Sequence, residues 1–310
     1  MRTLLLAFGF AILFVQYYIQ NISIEVQFAA FAVGILILGI PHGAADLLVA
    51  TQNAERNNTP FLPLTFFVNY MGRLVGFGVI IWLFPLWGNL IFIFLAAYHF
   101  GETDLHQFKT DTILGKLLIT TYGFVILMVI LMPHFDEAKP ILQLMLLNPN
   151  DWRFIDWLDT HRLTLIMVAF VSFFTGAILY FIKYNINNKR EIKLFCLQFA
   201  LILVILYNLP MLLGFTFYFV VWHSVFSLTN IVTYLKTGAT PYSTKEITKQ
   251  IVIYSALAML GICIIGAAGF MFTSKTSILV YTFLGLAVLT APHMQVMHDM
   301  YQKIRIEKAN

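Results

Sequence analysis

Apolar runs of about twenty residues recur along the whole chain, separated by short polar stretches. A helix rises about 1.5 Å per residue, so a run of that length crosses a hydrocarbon core about 30 Å thick. Ten such spans are predicted, over 3–20, 27–48, 64–86, 88–106, 113–133, 163–183, 192–208, 211–235, 251–273 and 277–298. The seventh and eighth are divided at "YNLPMLLG", where Asn208 and Pro210 break a stretch too long for one crossing. The first run follows Arg2, has no small-residue cleavage site and ends in aromatics, so it reads as a retained helix rather than a signal peptide. The longest connection, 134–162, carries Trp152 and Trp157 and reads as a segment lying in the membrane interface. The predicted fold is an all-α, polytopic integral membrane bundle, with one transmembrane domain over 1–310.

Composition supports this pattern. Sixty per cent of the 310 residues are hydrophobic and 11% are charged, against about 25% charged in a soluble domain. The bilayer of the cell (inner) membrane is the expected surrounding, and no nucleic-acid partner is expected. Charge placement then sets an orientation. With the N-terminus inside, ten crossings put fourteen Lys and Arg on the cytoplasmic side. Only Lys139, Arg153, Arg162 and Lys275 fall outside, while Arg73 lies within the third span. That asymmetry predicts cytoplasmic N- and C-termini. Cys196 and Cys263 sit in apolar runs without metal-ligand spacing, so both read as packing residues.

The histidines carry the chemical signal. His106, His134 and His161 fall in or beside loops, whereas His42, His99, His223, His293 and His298 fall on spans 2, 4, 8 and 10. All four spans run from the outer face inward. Measured from their outer ends, His42, His99, His223 and His293 lie at similar depths, roughly 17 to 24 Å in, and His298 lies deeper, roughly 32 Å in. A single apolar-helix histidine is usually a hydrogen-bonded core residue. Four at one level are candidates for function, and four imidazoles facing a common centre suit a first-row transition metal. Acids flank them. Asp46 is one helical turn after His42, Glu102 is three residues after His99, and Asp104 lies just beyond. These are candidates to orient ligating imidazoles through the second ring nitrogen. Arg73 is expected to pair with one of them, because an unpaired guanidinium in lipid is costly. Pro41 and Gly43 flank His42 and predict a kinked helix there.

An all-imidazole set without thiolate disfavours structural zinc or an iron–sulfur cluster. It leaves ferrous iron positively charged and able to take dioxygen. In a chain with 30 Phe, oxidation of a lipid-soluble substrate is the expected chemistry. The aromatic residues nearest the histidines, Tyr98, Phe100, Phe219, Trp222 and Phe226, are candidates to line its path. The competing readings are a transporter using intramembrane His and acids, a haem carrier and a diiron desaturase. The first predicts repeats and polar groups through the full thickness, and the last needs about eight ligands in HxxxH and HxxHH boxes.

The motifs "GIPHGAADLL", "YHFGETD", "WHS" and "APHM" resemble those of the bacterial and archaeal Brp/Blh family, membrane β-carotene 15,15'-dioxygenases. The likeness extends over most of the chain. It implies an Fe(II) enzyme that uses O2 to split the central double bond of β-carotene into two all-trans-retinal, with retinal passed to a microbial rhodopsin. By this likeness His42, His99 and His223 match the family histidines and bind iron. One position departs. Family members often carry a second His one turn after the WHS histidine, and here that position is Ser227. His293 is then expected to complete the set, with His298 as its substitute. The departure leaves room for a diverged member acting on another carotenoid or apolar lipid.

Overall fold

A computed structural model describes residues 1–146, 148–184, 189–237, 241–272 and 278–309, except the side chains at 189, 191, 262, 264–282, 308 and 309. Among these residues every regular element is a helix. The helices are α1 (Arg2–Ile19), α2 (Ile24–Arg56), α3 (Pro63–Leu83), α4 (Pro85–Asp104), α5 (Ile113–Leu131) and the short α6 (Phe135–Leu146) and α7 (Trp152–Thr160). There follow α8 (Arg162–Lys183), α9 (Lys189–Asn208), α10 (Met211–Lys236), α11 (Thr244–Phe272) and α12 (Ile278–Ala309). Local chemistry sets several boundaries. Pro63 and Pro85 open α3 and α4, where a missing N–H costs nothing. Pro210, extended at φ −49° and ψ 148°, separates α9 from α10 as the sequence predicts.

Among the described residues six helices, α1, α2, α3, α5, α8 and α10, are long and apolar enough to cross a membrane. Length and composition thus support six of the ten expected spans among these residues. The fourth, α4, is diluted by Asn89, His99, Glu102 and Asp104, and the apolar part of α9, Ile192–Asn208, is shorter. The expected turn between the last two spans, with Lys275, lies outside the described residues. Large apolar side chains such as Leu4, Trp82, Ile113, Leu163 and Ile182 cover the outer surface, as lipid contact requires. Cys196 and Cys263, expected to pack inside, are exposed as well, because each falls on an outward face of its helix.

Two features of the bundle position the site. First, α4 and α5 touch backbone to backbone. A Cβ on Gly101 would lie 1.9 Å from the Ile119 carbonyl oxygen, and one on Gly123 would lie 1.9 Å from that of Ala97. Small residues permit this approach, and such contacts drive helix association in lipid. Second, three helices depart from α geometry, through π-helical stretches at Val15–Ile19, Ile35–Gly39 and Thr216–His223. The last two lead directly to His42 and His223.

The 134–162 connection folds into the two short amphipathic helices. They are fastened by Lys139 to Asp156 and Asp159, each at 2.9 Å, and by Arg162 to Asp136 at 2.6 Å. Hydrogen bonds from Lys139 and Arg162 hold the Asp159 carboxyl below the usual carboxylate range.

Candidate metal centre

His42, His99, His223 and His293 meet inside the bundle. Ring centroids stand 4.4 Å apart for His42–His293, 4.7 Å for His99–His223, 5.0 Å for His99–His293 and 5.2 Å for His42–His223. All four side chains are buried. One nitrogen from each of His42, His99 and His223 lies within 4.8 Å of the other two. The fourth ring joins through His293 Nε2, 2.7 Å from His42 Nε2, while His223 Nε2 stands 3.1 Å from His99 Nε2. Two ring nitrogens so close need a proton or a cation between them. One cation among the His42, His99 and His223 nitrogens would fill their shared space, with His293 Nε2 joining through His42. Imidazole nitrogens about 2.0–2.1 Å from one ion stand about 3 Å apart when adjacent, close to the spacing within the two pairs.

The local structure explains how four separated helices aim inward. His42 follows the π-helical stretch Ile35–Gly39 and sits beside Pro41. His223 ends the π-helical stretch Thr216–His223. His293 follows Pro292 inside α12. His99 lies on regular helix, and close α4–α5 packing places it. Wide turns and prolines change the phase of the side chains that follow them, and π segments gather at functional sites.

Of the three candidate acids, Asp46 holds a cluster histidine, while Glu102 and Asp104 hold other groups. Asp46, a candidate to orient a ligating imidazole, accepts from His293 Nδ1 at 2.7 Å, and its second oxygen accepts from the Tyr70 hydroxyl at 3.0 Å. Ala45 interrupts α2 between His42 and Asp46 at φ −74° and ψ −8°, and His42 Nε2 meets the Nε2 of the same His293 ring, so both side chains face α12. With its proton on Nδ1, His293 presents the Nε2 lone pair inward, as a ligating imidazole must. The Nδ1 atoms of His42, His99 and His223 have no hydrogen-bond partner among the described residues.

Glu102, expected to support a ligand, accepts from His298 Nδ1 at 2.8 Å and from Arg305 at 3.3 Å. His298 also meets the Tyr98 hydroxyl at 3.2 Å. It thus belongs to this peripheral network, and His293 alone of the pair joins the cluster. Asp104 reaches no histidine. It accepts from the Tyr122 and Tyr218 hydroxyls and from Trp222 Nε1. Arg73 lies on the exposed face of α3 and has no ion pair among the described residues. The acids it was expected to meet are satisfied by Tyr70, His298, Arg305 and the Asp104 donors.

Of the aromatic candidates, two adjoin the centre. Phe100 stands 4.9 Å from the His223 ring, and Phe219 stacks on it at 6.1 Å. Tyr98 belongs to the His298 network. Trp222 turns to Asp104, and Phe226 packs on Trp222 beneath Arg2, on another side of α10. Ser227 is fully buried, near the Tyr301 hydroxyl together with Thr103 and Asn230. The roles of Tyr70, Tyr122, Tyr218 and Arg305 escaped the sequence reading. Their only signal is polarity in or beside apolar runs, which names no partner.

Fold and site together define a polytopic helical membrane protein with a buried cluster of four imidazoles. Comparison with known families narrows this further. The family model described as Beta-carotene 15,15'-dioxygenase matches residues 33–301, a stretch that contains all four histidines. The chain belongs to that family. No curated protein and no solved structure matches it.

Proposed function

We propose that this protein cleaves β-carotene at the central 15,15' double bond with O2, giving two molecules of all-trans-retinal. Ferrous iron is the proposed metal, held by His42, His99, His223 and His293. The observation that carries the reading is the convergence of these four rings, two Nε2 pairs at 2.7 Å and 3.1 Å, in a chain of this family. The donor set is all nitrogen, with no thiolate and no directly ligating acid, as suits a first-row metal that must also take an exogenous molecule. When bound, ferrous iron supplies the capacity to activate dioxygen.

The reaction balances without acid or base. One C=C bond and one O2 give two C=O groups, so both oxygen atoms end in product and no proton is consumed. The protein's work is to hold the metal and to place one double bond among many similar ones. Phe100 and Phe219 supply apolar walls beside His223. Asp46 fixes the His293 ring. The proposed topology has ten crossings of the cell membrane with both termini cytoplasmic, and retinal leaves for a microbial rhodopsin.

Retinal formation in cells that accumulate β-carotene tests the reading. His42→Ala, His99→Ala, His223→Ala and His293→Ala proteins are expected to lose retinal production while still reaching the membrane. Full activity in all four would refute the site.

A further inference from the structure

Asp104 is a buried acid that the proposed chemistry leaves unused. It lies five residues after His99 on α4 and is 3% exposed. Its Oδ2 accepts from the Tyr122 hydroxyl at 2.8 Å, the Tyr218 hydroxyl at 3.0 Å and Trp222 Nε1 at 3.1 Å, and the indole also reaches Oδ1 at 3.2 Å. Its main-chain carbonyl accepts from Arg2 Nη2 at 2.9 Å. Arg2 in turn donates to Gln198 and lies over the Phe226 ring. Asp104 thus gathers α1, α5 and α10 onto the end of α4. An acid inside a membrane bundle is expensive to keep, and this one spends its side chain entirely on hydroxyl and indole donors.

Two of those donors, Tyr218 and Trp222, lie within the π-helical stretch Thr216–His223 that ends on a cluster histidine. A π turn bonds i to i+5 and is less favourable than an α turn, so something outside the helix must hold it. Were the stretch to rewind to α geometry, the turn would lose one residue. Side chains on its two sides would then rotate relative to each other by about 100°. With Tyr218 and Trp222 both fixed on one carboxylate, that rotation is blocked.

We infer that Asp104 is a positioning residue for His223. It grips α10 through Tyr218 and Trp222, keeps the π register, and so aims the His223 imidazole at His99 across the two helices. The inference rests on His223 being a metal ligand, as proposed above. The third donor, Tyr122, provides the contrast. It bonds the same oxygen from α5 and does not touch the π register.

The test is metal affinity of the full-length protein in detergent, titrated anaerobically with Fe(II) and, separately, with Co(II), whose visible absorption reports the ligand set. Loss of an outer-shell partner typically weakens a metal site 10–100-fold. Asp104→Asn, Tyr218→Phe and Trp222→Phe are each expected to weaken binding by about that factor and to alter the Co(II) spectrum, with helix content unchanged by circular dichroism. Tyr122→Phe is expected to leave both within about two-fold of the parent, by the same measure. Unchanged affinity in Tyr218→Phe and Trp222→Phe overturns the inference even if Asp104→Asn does not fold. So does an equal loss in Tyr122→Phe, which would make the acid a general packing element. A parent protein that binds neither metal would instead remove the metal reading itself.

Discussion

At the scale of single residues, the site depends on where each imidazole sends its second nitrogen. Among the described residues only His293 of the four has a carboxylate there, and that carboxylate is itself held by Tyr70. Asp46→Asn removes the strong acceptor and frees the ring to turn. It is expected to weaken Fe(II) binding 10–100-fold, with Tyr70→Phe giving a smaller loss in the same direction. Anaerobic metal titration measures both, and equal affinity in Asp46→Asn would show that the contact orients nothing. The four cluster histidines were legible in the sequence because ionisable groups at one depth in apolar helices are conspicuous. The partners of the acids were not. Asp46 stands one turn from His42, and both side chains meet the same His293 ring, a contact with another helix that spacing within one helix cannot show.

At the scale of elements, the site is built from irregular helices anchored on a regular pair. The π-helical stretches, Pro41 and Pro292 adjoin three of the cluster histidines, and α4 and α5 supply the fixed frame. Their contact has no slack, since a methyl group on Gly123 would collide with the Ala97 carbonyl. Gly123→Ala is expected to force the helices apart, lower stability by about 1–3 kcal/mol, and disturb His99, which lies two residues beyond Ala97. Thermal unfolding in detergent together with retinal formation checks this, and a variant equal to the parent in both would remove the frame from the account. Apolar length predicted where most helices lie. It did not predict the π turns, because Thr216–His223 has the same apolar character as an ordinary helix, and its geometry is enforced by contacts such as Asp104–Tyr218.

At the scale of the whole molecule, charge placement gives an expected orientation. The excess of Lys and Arg on one side predicts that both termini are cytoplasmic. A fluorescent protein fused to the C-terminus should therefore be bright, and a periplasmic phosphatase fused there should be inactive. The reverse result would remove one crossing from the proposed ten. The peripheral network adds a reason for the C-terminal end to stay docked: Arg305 on α12 bonds Glu102 on α4 and Asp111 beyond it, and Arg56 pairs with Glu307.

The sequence by itself determined the helical class, the candidate histidines and the family to which the chain belongs. Each of these follows from local composition, from a fixed rise per residue or from short motifs. Tertiary structure alone decided that His293 rather than His298 joins the cluster, that Asp46 serves a histidine nearly 250 positions away, and that Asp104 grips α10 rather than a ligand. The physical reason is angular. Sequence gives position along a helix axis, whereas contact between helices depends on rotation about that axis. Rotation is set by breaks, π turns and close backbone packing that only the assembled bundle imposes.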